Sequence, residues 1–243
     1  MSDHVLANHM KVLCYALRAS VNLHRNLTIG QSSISQSTSC RNLGVMFDKH
    51  AKMNVQINSI CRSTHFHLRN IASIRPLLTD SAVAQLVHAL ITSRLDYCNS
   101  LLYGLPDTLL QKLQRVQNIA CRIVCRAPKQ SHVRPLMKEL HWLPIEQRII
   151  FKILLLTFKA LNALAPEYLA ELVTLYCPRK NLRSADLQQL DVPKTRLKTF
   201  GDRSFQAAAA KEWNKLPLDI KQSSSLLSFK TKIKTHLYKS VYE

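Results

Sequence analysis

Two long segments with apolar residues at helical spacing flank one short break, and this arrangement restricts the fold more than any other feature of the chain. Leu86, Val87, Leu90 and Ile91 lead into Ser93-Arg94-Leu95-Asp96-Tyr97-Cys98-Asn99-Ser100-Leu101-Leu102-Tyr103-Gly104-Leu105-Pro106. Leu109, Leu110, Leu113, Val116, Ala120 and Ile123 come after it. Gly104 can take the left-handed conformation that ends a helix, and Pro106 cannot continue one. The stretch therefore predicts two packed helices joined by a short loop. With 4 glycines in 243 residues, helices with short connections fit the chain better than a Gly-rich barrel.

The same periodicity recurs on both sides. Met53, Ile57, Ile60, Cys61, Leu68, Ile71 and Ala72 form one inner stripe, with Lys49, Lys52, Arg62 and Arg69 mostly off it. Asp48 is placed to cap that helix, Pro76 to end it, and Thr79 or Asp80 to cap the next. Beyond the break, Ala127-Pro128 stops the second arm, and Ser131 to Glu139 reads as a short helix. His141-Trp142-Leu143-Pro144 reads as a turn whose indole anchors the next helix. Ile145 to Leu164 is the most apolar helix and the expected centre of the core, through Ile149, Ile150, Ile153, Leu154, Leu156 and Leu161. Pro166 opens a short helix through Val173. Phe205 to Asn214, with four consecutive alanines, and Ser225 to Val241 are the last helices; Leu226, Leu227, Phe229, Ile233, Leu237 and Tyr238 make the apolar face of the final one.

Strand signals are confined to the beginning. Leu27-Thr28-Ile29-Gly30 and Arg41 to Phe47 are β-type runs separated by the Ser-rich segment 32–39, which suits a hairpin. The expected fold class is mainly α, with a short N-terminal β-hairpin. The organisation reads as a poorly ordered segment 1–26, the hairpin 27–48, a helical domain 49–176, a polar linker 177–194 and a basic helical region 195–243.

Lysine and arginine number 34 against 15 acidic residues, a net charge of +19. A field of that size attracts polyanions, with nucleic acid as the default partner and an anionic membrane surface as the rival. No apolar run reaches the roughly 20 residues a membrane span needs. Seven cysteines at irregular spacing, several inside apolar stripes, indicate free thiols in a reducing compartment, nuclear or cytoplasmic. The most informative charge pattern lies on the second arm. At 100° per residue, Lys112, Arg115, Arg122 and Arg126 fall within an arc of roughly 80°, opposite the apolar sector. A one-sign stripe of this kind can lie along a sugar-phosphate backbone.

Several blocks in fixed order carry a resemblance. Arg41-Asn42-Leu43-Gly44-Val45-Met46-Phe47-Asp48, the SRLDYCNSLLYGLP stretch, Leu140-His141-Trp142-Leu143-Pro144, the run from Phe151 to Asn162, Arg196 to Arg203, and Trp213-Asn214-Lys215-Leu216-Pro217 together resemble the reverse transcriptase of non-LTR (long interspersed, Jockey-superfamily type) retrotransposons. The similarity runs from about Leu27 to the C-terminus and covers the part that lies after the catalytic palm. It implies a helical, thumb-like array that grips template-primer duplex. It also implies a hairpin at Leu43, Gly44 and Val45 that supports the primer end. Magnesium would belong to the intact polymerase, with no cofactor in this chain, and the missing palm would be a partner in addition to nucleic acid.

Catalytic chemistry has no residues to rest on. Such a polymerase needs adjacent aspartates to hold divalent ions, and no Asp-Asp pair occurs in the sequence. Asp96-Tyr97 supplies one carboxylate, inside a helical pattern and downstream of the hairpin. Cys121, Cys125 and His132 lack a fourth ligand at zinc spacing. His65 and His67 would project about 200° apart on a helix. There is no phosphate-cradling glycine loop and no nucleophile elbow. The expectation is a polymerase remnant without catalytic or metal-binding residues. Two alternatives stay open: a basic helical module for protein interaction, and a non-functional product of a decayed mobile element.

Overall fold

The computed structural model describes residues 27–29, 32–34, 37–177, 187–197 and 200–243; the reading of 1–26 lies outside them. The chain is mainly helical with short antiparallel strands at the beginning. Its contacts divide it into two compact units, 1–63 and 64–243.

In the first unit the strand signals resolve into two local hairpins, not one long one. β1 (Leu27–Ile29) pairs with β2 (Ser32–Ile34), and β3 (Ser39–Asn42) pairs with β4 (Val45–Asp48), as separate two-stranded sheets. The Ser-rich segment expected to be a connection supplies β2. The run from Arg41 to Phe47 folds back on itself because Leu43 (φ 46°) and Gly44 (φ 81°) both take positive φ, with Asn42 opposite Val45. Two positive φ values in a two-residue loop match the right-handed twist of the flanking strands. Gln56 Oε1 accepts a hydrogen bond from Met46 N at 2.8 Å, tying β4 to the start of α1 (Asn54–Ile74). Asp48 does not cap α1. Its Oδ1 accepts from His50 N and Lys52 N and closes the turn before the helix.

The burial stripe of α1 is Ile57, Ile60, Thr64, Leu68 and Ile71, continued by Arg75 in the 3-10 turn Arg75–Leu77. Ala72, expected inside, is exposed. Thr79 caps α2 (Asp80–Val87) by accepting from Ala82 N. A π-helical turn (His88–Thr92) then leads into α3 (Ser93–Asp96) and a 3-10 turn (Asn99–Leu102). Gly104 has φ +66°, the left-handed conformation its position demands, and α4 (Asp107–Val124) begins after Pro106. A methyl group at Gly104 would meet Arg203 Cγ at 2.8 Å. Glycine is therefore required there for space as well as for φ.

α5 (Val133–Glu139), α6 (Ile145–Leu161), α7 (Glu167–Ala170), α8 (Phe205–Asn214), α9 (Leu218–Lys221) and α10 (Leu226–Tyr242) complete the second unit. α6 buries Ile145, Ile149, Ile153, Leu154, Thr157, Phe158 and Ala160, whereas Ile150, Leu156 and Leu161 lie at the margin. Phe158 stacks on Phe229 of α10 at 4.2 Å, and Trp213 of α8 stands 5.9 Å from Phe229. Burying one such ring contributes about 2–3 kcal/mol. The four alanines of α8, Ala207 to Ala210, are all buried. Ser204 and Ser225 cap α8 and α10. On α10, Phe229, Ile233 and Leu237 are buried, while Leu227, expected on the apolar face, is 75% exposed.

The stretch expected to be a linker is partly built into this core. Residues 178–186 lie outside the described set, but Leu190 is buried and bridges Leu175. The Asn214 side chain brackets its backbone, Oδ1 accepting from Leu190 N at 2.7 Å and Nδ2 donating to Leu190 O at 2.9 Å. Trp213 Nε1 donates to Gln188 O at 2.9 Å. A polar side chain can pin a backbone segment that has no apolar periodicity of its own.

Candidate nucleic-acid interface

α4 is the element on which the basic stripe was expected. Asp107 in its first turn suits the positive end of the helix dipole. Leu113, Val116, Gln117, Ala120, Cys121 and Val124 are buried. Leu109 and Ile123 are half-buried. The cations separate into two groups. Lys112 and Arg115 are exposed on the outer face, and Arg115 makes no hydrogen bond or ion pair among the described residues. Arg122 turns back on the chain, with Nε and Nη2 donating to Ser131 O at 3.2 and 3.1 Å.

Arg126 is not on the helix at all. α4 ends at Val124, and Arg126 takes φ +51°. Ala127 N donates to Arg122 O at 2.9 Å and Arg126 N to Ile123 O at 3.4 Å. This is the Schellman arrangement, with arginine where glycine is usual. Arg126 Nη2 donates to Leu78 O, and its Nε lies 3.4 Å from Asp80 Oδ1. The arc of four breaks up for two reasons: Arg126 leaves it because a helical wheel assumes that the helix continues, and Arg122, still on the helix, is drawn to Ser131 O.

Asp80 also receives Arg75 Nη2 at 2.6 Å. That hydrogen bond is the main reason its carboxyl titrates below the ordinary aspartate range, with Arg126 adding to it and desolvation opposing. Arg75 itself is buried, its Nε donating to Ile123 O at 2.8 Å, Nη2 to Val124 O at 3.0 Å and Nη1 to Leu78 O at 3.1 Å. A guanidinium spreads its donors over several acceptors and here holds the last carbonyls of α4.

Leu43, Gly44 and Val45 lie in the first unit. Leu43 and Gly44 form the exposed tip of the β3–β4 turn, whereas Val45 is 2% exposed, so its side chain is not on the surface. The turn geometry accounts for Gly44 without a ligand.

The remaining blocks are structural ties within the second unit. Asp96 is held by Arg148, whose Nε donates to Oδ1 at 2.8 Å while Nη2 pairs with Oδ2. A carboxylate so engaged does not fit a catalytic metal site. In the Trp142 turn the indole is only half-buried and meets His88 edge-on at 6.2 Å. The anchoring is done by two glutamines of α4: Gln117 Nε2 donates to Leu143 O at 2.8 Å, and Gln114 Oε1 accepts from Ile145 N at 3.0 Å. Tyr103 OH donates to the buried Glu212 at 2.6 Å, and Lys215 Nζ reaches both Glu212 oxygens at 2.8 Å. Burial pushes the Cys121 thiol up to about 12 and raises Cys125 as well, which disfavours the thiolate a metal would need. No group of three or more His, Cys, Asp or Glu that could hold a metal occurs among the described residues. No helix among them is long and apolar enough to cross a membrane.

Compared with protein-family models, with curated proteins and with solved structures, the chain has no match.

Proposed function

We propose that this chain is a remnant of a retrotransposon RNA-directed DNA polymerase that binds nucleic acid through phosphate contacts and does not polymerise by itself. The observation that carries the reading is the excess of positive charge left on the surface of a helical body. Lys112 and Arg115 are exposed on α4. α10 holds Lys230, Lys232, Lys234 and Lys239, all exposed, and contains no acidic residue. The order of the sequence blocks supports the polymerase origin. In this reading the partners are an RNA or DNA backbone and the palm of an intact polymerase, and the place of action is inside the cell, nuclear or cytoplasmic.

The test is binding of a labelled RNA–DNA duplex by the purified chain across a salt series. About five phosphate contacts give a log–log slope near −4 to −5, and Lys112→Glu with Arg115→Glu should flatten it by about 2. A salt-independent affinity removes the phosphate argument. Primer extension above a no-enzyme control contradicts the absence of catalysis.

A second reading, docking of an acidic protein, is favoured by an open apolar cavity of about 460 Å³ between Ala72 and Ile119, Ile123 and Ala127, rimmed by Arg122, Arg126 and Lys129. Charge reversal at Arg115 and Arg122 that spares duplex binding but breaks a protein complex would select it. The third, a decayed product, would leave apolar surface open where the palm should pack and would aggregate, which gel filtration would reveal.

A further inference from the structure

The second unit contains a cavity of about 380 Å³ that the basic face of α4 does not use. It opens beside the Asp96–Asn99 stretch, the Leu140–Leu143 turn, α6 and the middle of α10. Its size is that of pockets for small ligands, which run from roughly 300 to 1,000 Å³.

Three features of its wall act together. Asn99 is 3% exposed. Its Nδ2 faces Asp96 Oδ1 at 3.5 Å and Arg148 O at 3.4 Å, both acceptors, and this fixes which way the amide points. The Asn99 Oδ1 is then buried with no hydrogen-bond partner and closed off as it stands; a small turn of the amide toward a donor in the cavity would recover the roughly 1–3 kcal/mol that this costs. Next, the Asp96 carboxylate is neutralised by Arg148, so it does not repel an anion. Lys152 and Lys234 line the same cavity, and neither makes a hydrogen bond or ion pair among the described residues. Finally, the Trp142 indole and the Phe151 ring supply flat apolar wall. An unsatisfied acceptor calls for an N–H, aromatic walls favour a planar ring, and unpaired ammonium groups favour an anion.

We propose that this cavity binds a nucleotide: a planar N–H-bearing base toward Asn99 and the aromatic side chains, and a phosphate toward Lys152 and Lys234. The nucleotide comes either free or as the terminal residue of a strand. The site stands apart from the phosphate-backbone reading of α4, because neither Lys112 nor Arg115 lines it.

Calorimetry on the full chain at low salt, with AMP, CMP, GMP and UMP against ribose 5-phosphate and orthophosphate, tests this. At least one mononucleotide should saturate, with both base-free phosphates binding at least about tenfold more weakly. Lys152→Gln and Lys234→Gln, on partly or fully exposed side chains that the fold does not need, should each weaken binding by about tenfold. Trp142→Phe should reduce affinity less than Trp142→Ala. Arg115→Glu should leave mononucleotide affinity unchanged while weakening duplex binding, so the two readings fail separately. No saturation by about 10 mM would mean that the cavity holds only water, and would overturn the proposal. Orthophosphate binding as tightly as a nucleotide, or lysine variants binding like the parent, would overturn it too. A 5′-phosphorylated oligonucleotide that displaces the mononucleotide supports the site and identifies a strand end as the source. Failure to displace it, with mononucleotide binding intact, supports the site and identifies the free nucleotide.

Discussion

Arg75→Met should clearly destabilise the second unit, although no sequence pattern marks the position. Methionine keeps most of the aliphatic packing and removes the guanidinium. Hydrogen bonds to Ile123 O, Val124 O and Leu78 O are lost together with the ion pair to Asp80. The ion pair contributes little, because the Asp80 side chain is 77% exposed and exposed pairs are worth under about 1 kcal/mol. The carbonyls matter more. Ile123 O keeps Arg126 N and Leu78 O keeps Arg126 Nη2, but the buried bond to Val124 O at the end of α4 has no replacement among the described residues, and an acceptor left without a donor costs about 1–3 kcal/mol. The positive charge also opposes the negative end of the α4 dipole. The sum is about 2 kcal/mol, a substantial share of the 5–15 kcal/mol typical of a domain. Urea unfolding, followed by far-UV circular dichroism and by the fluorescence of the buried Trp213, should show the midpoint falling by about 1 M. Asp80→Asn, run in parallel, should shift it little. A loss below about 1 kcal/mol for Arg75→Met, or equal losses for the two variants, would refute the assignment of Arg75 as the clamp on α4.

Gly104→Ala should cost about 1–2 kcal/mol, because alanine resists φ +66° and its methyl meets Arg203 Cγ at 2.8 Å; a lowered Tm checks it. Ala163→Gly should stabilise by about 0.5–1 kcal/mol, since Ala163 holds φ +54° just past the end of α6 while Leu164 N bonds Lys159 O at 2.8 Å, the conformation glycine prefers. An unchanged or lower Tm would count against it. Alkaline pH should destabilise the fold through Tyr103, whose hydroxyl is raised well above its ordinary value of 10.0 first by burial and then by its bond to Glu212. A raised folded value means that the contribution is complete below about pH 10 and is lost as pH climbs beyond it toward the folded value. Urea midpoints between pH 8 and 11 should fall less steeply in Tyr103→Phe.

Helical content, the break at Gly104–Pro106 and the Thr79 cap were legible because each depends on a few neighbouring residues. The left-handed Gly104, Thr79 ahead of α2 and the buried 57–60–68–71 stripe arise from local sterics and the 3.6-residue period. Half of the basic stripe was not legible, because Arg122 and Arg126 are spent on Ser131, Leu78 and Asp80, contacts set by where the chain turns after Val124. The double hairpin was hidden for a related reason: Leu43 is a poor residue for a positive φ, so the Leu-Gly pair gives a weaker turn signal than Asn-Gly.

The sequence by itself determined the helical class, the large positive charge and the absence of an Asp-Asp pair, since these are properties of composition and short-range spacing. Only the tertiary structure decided which polar side chains became internal ties. Arg75, Gln117, Asn99, Glu212 and Asn214 look like surface residues in a linear reading. They act as clamps because folding brings backbone groups or charges distant in sequence within about 3 Å of most of them, and a buried polar group must find such partners or remain costly. Asn99 is the exception that keeps one acceptor open, and so the cavity beside it could be recognised only in three dimensions.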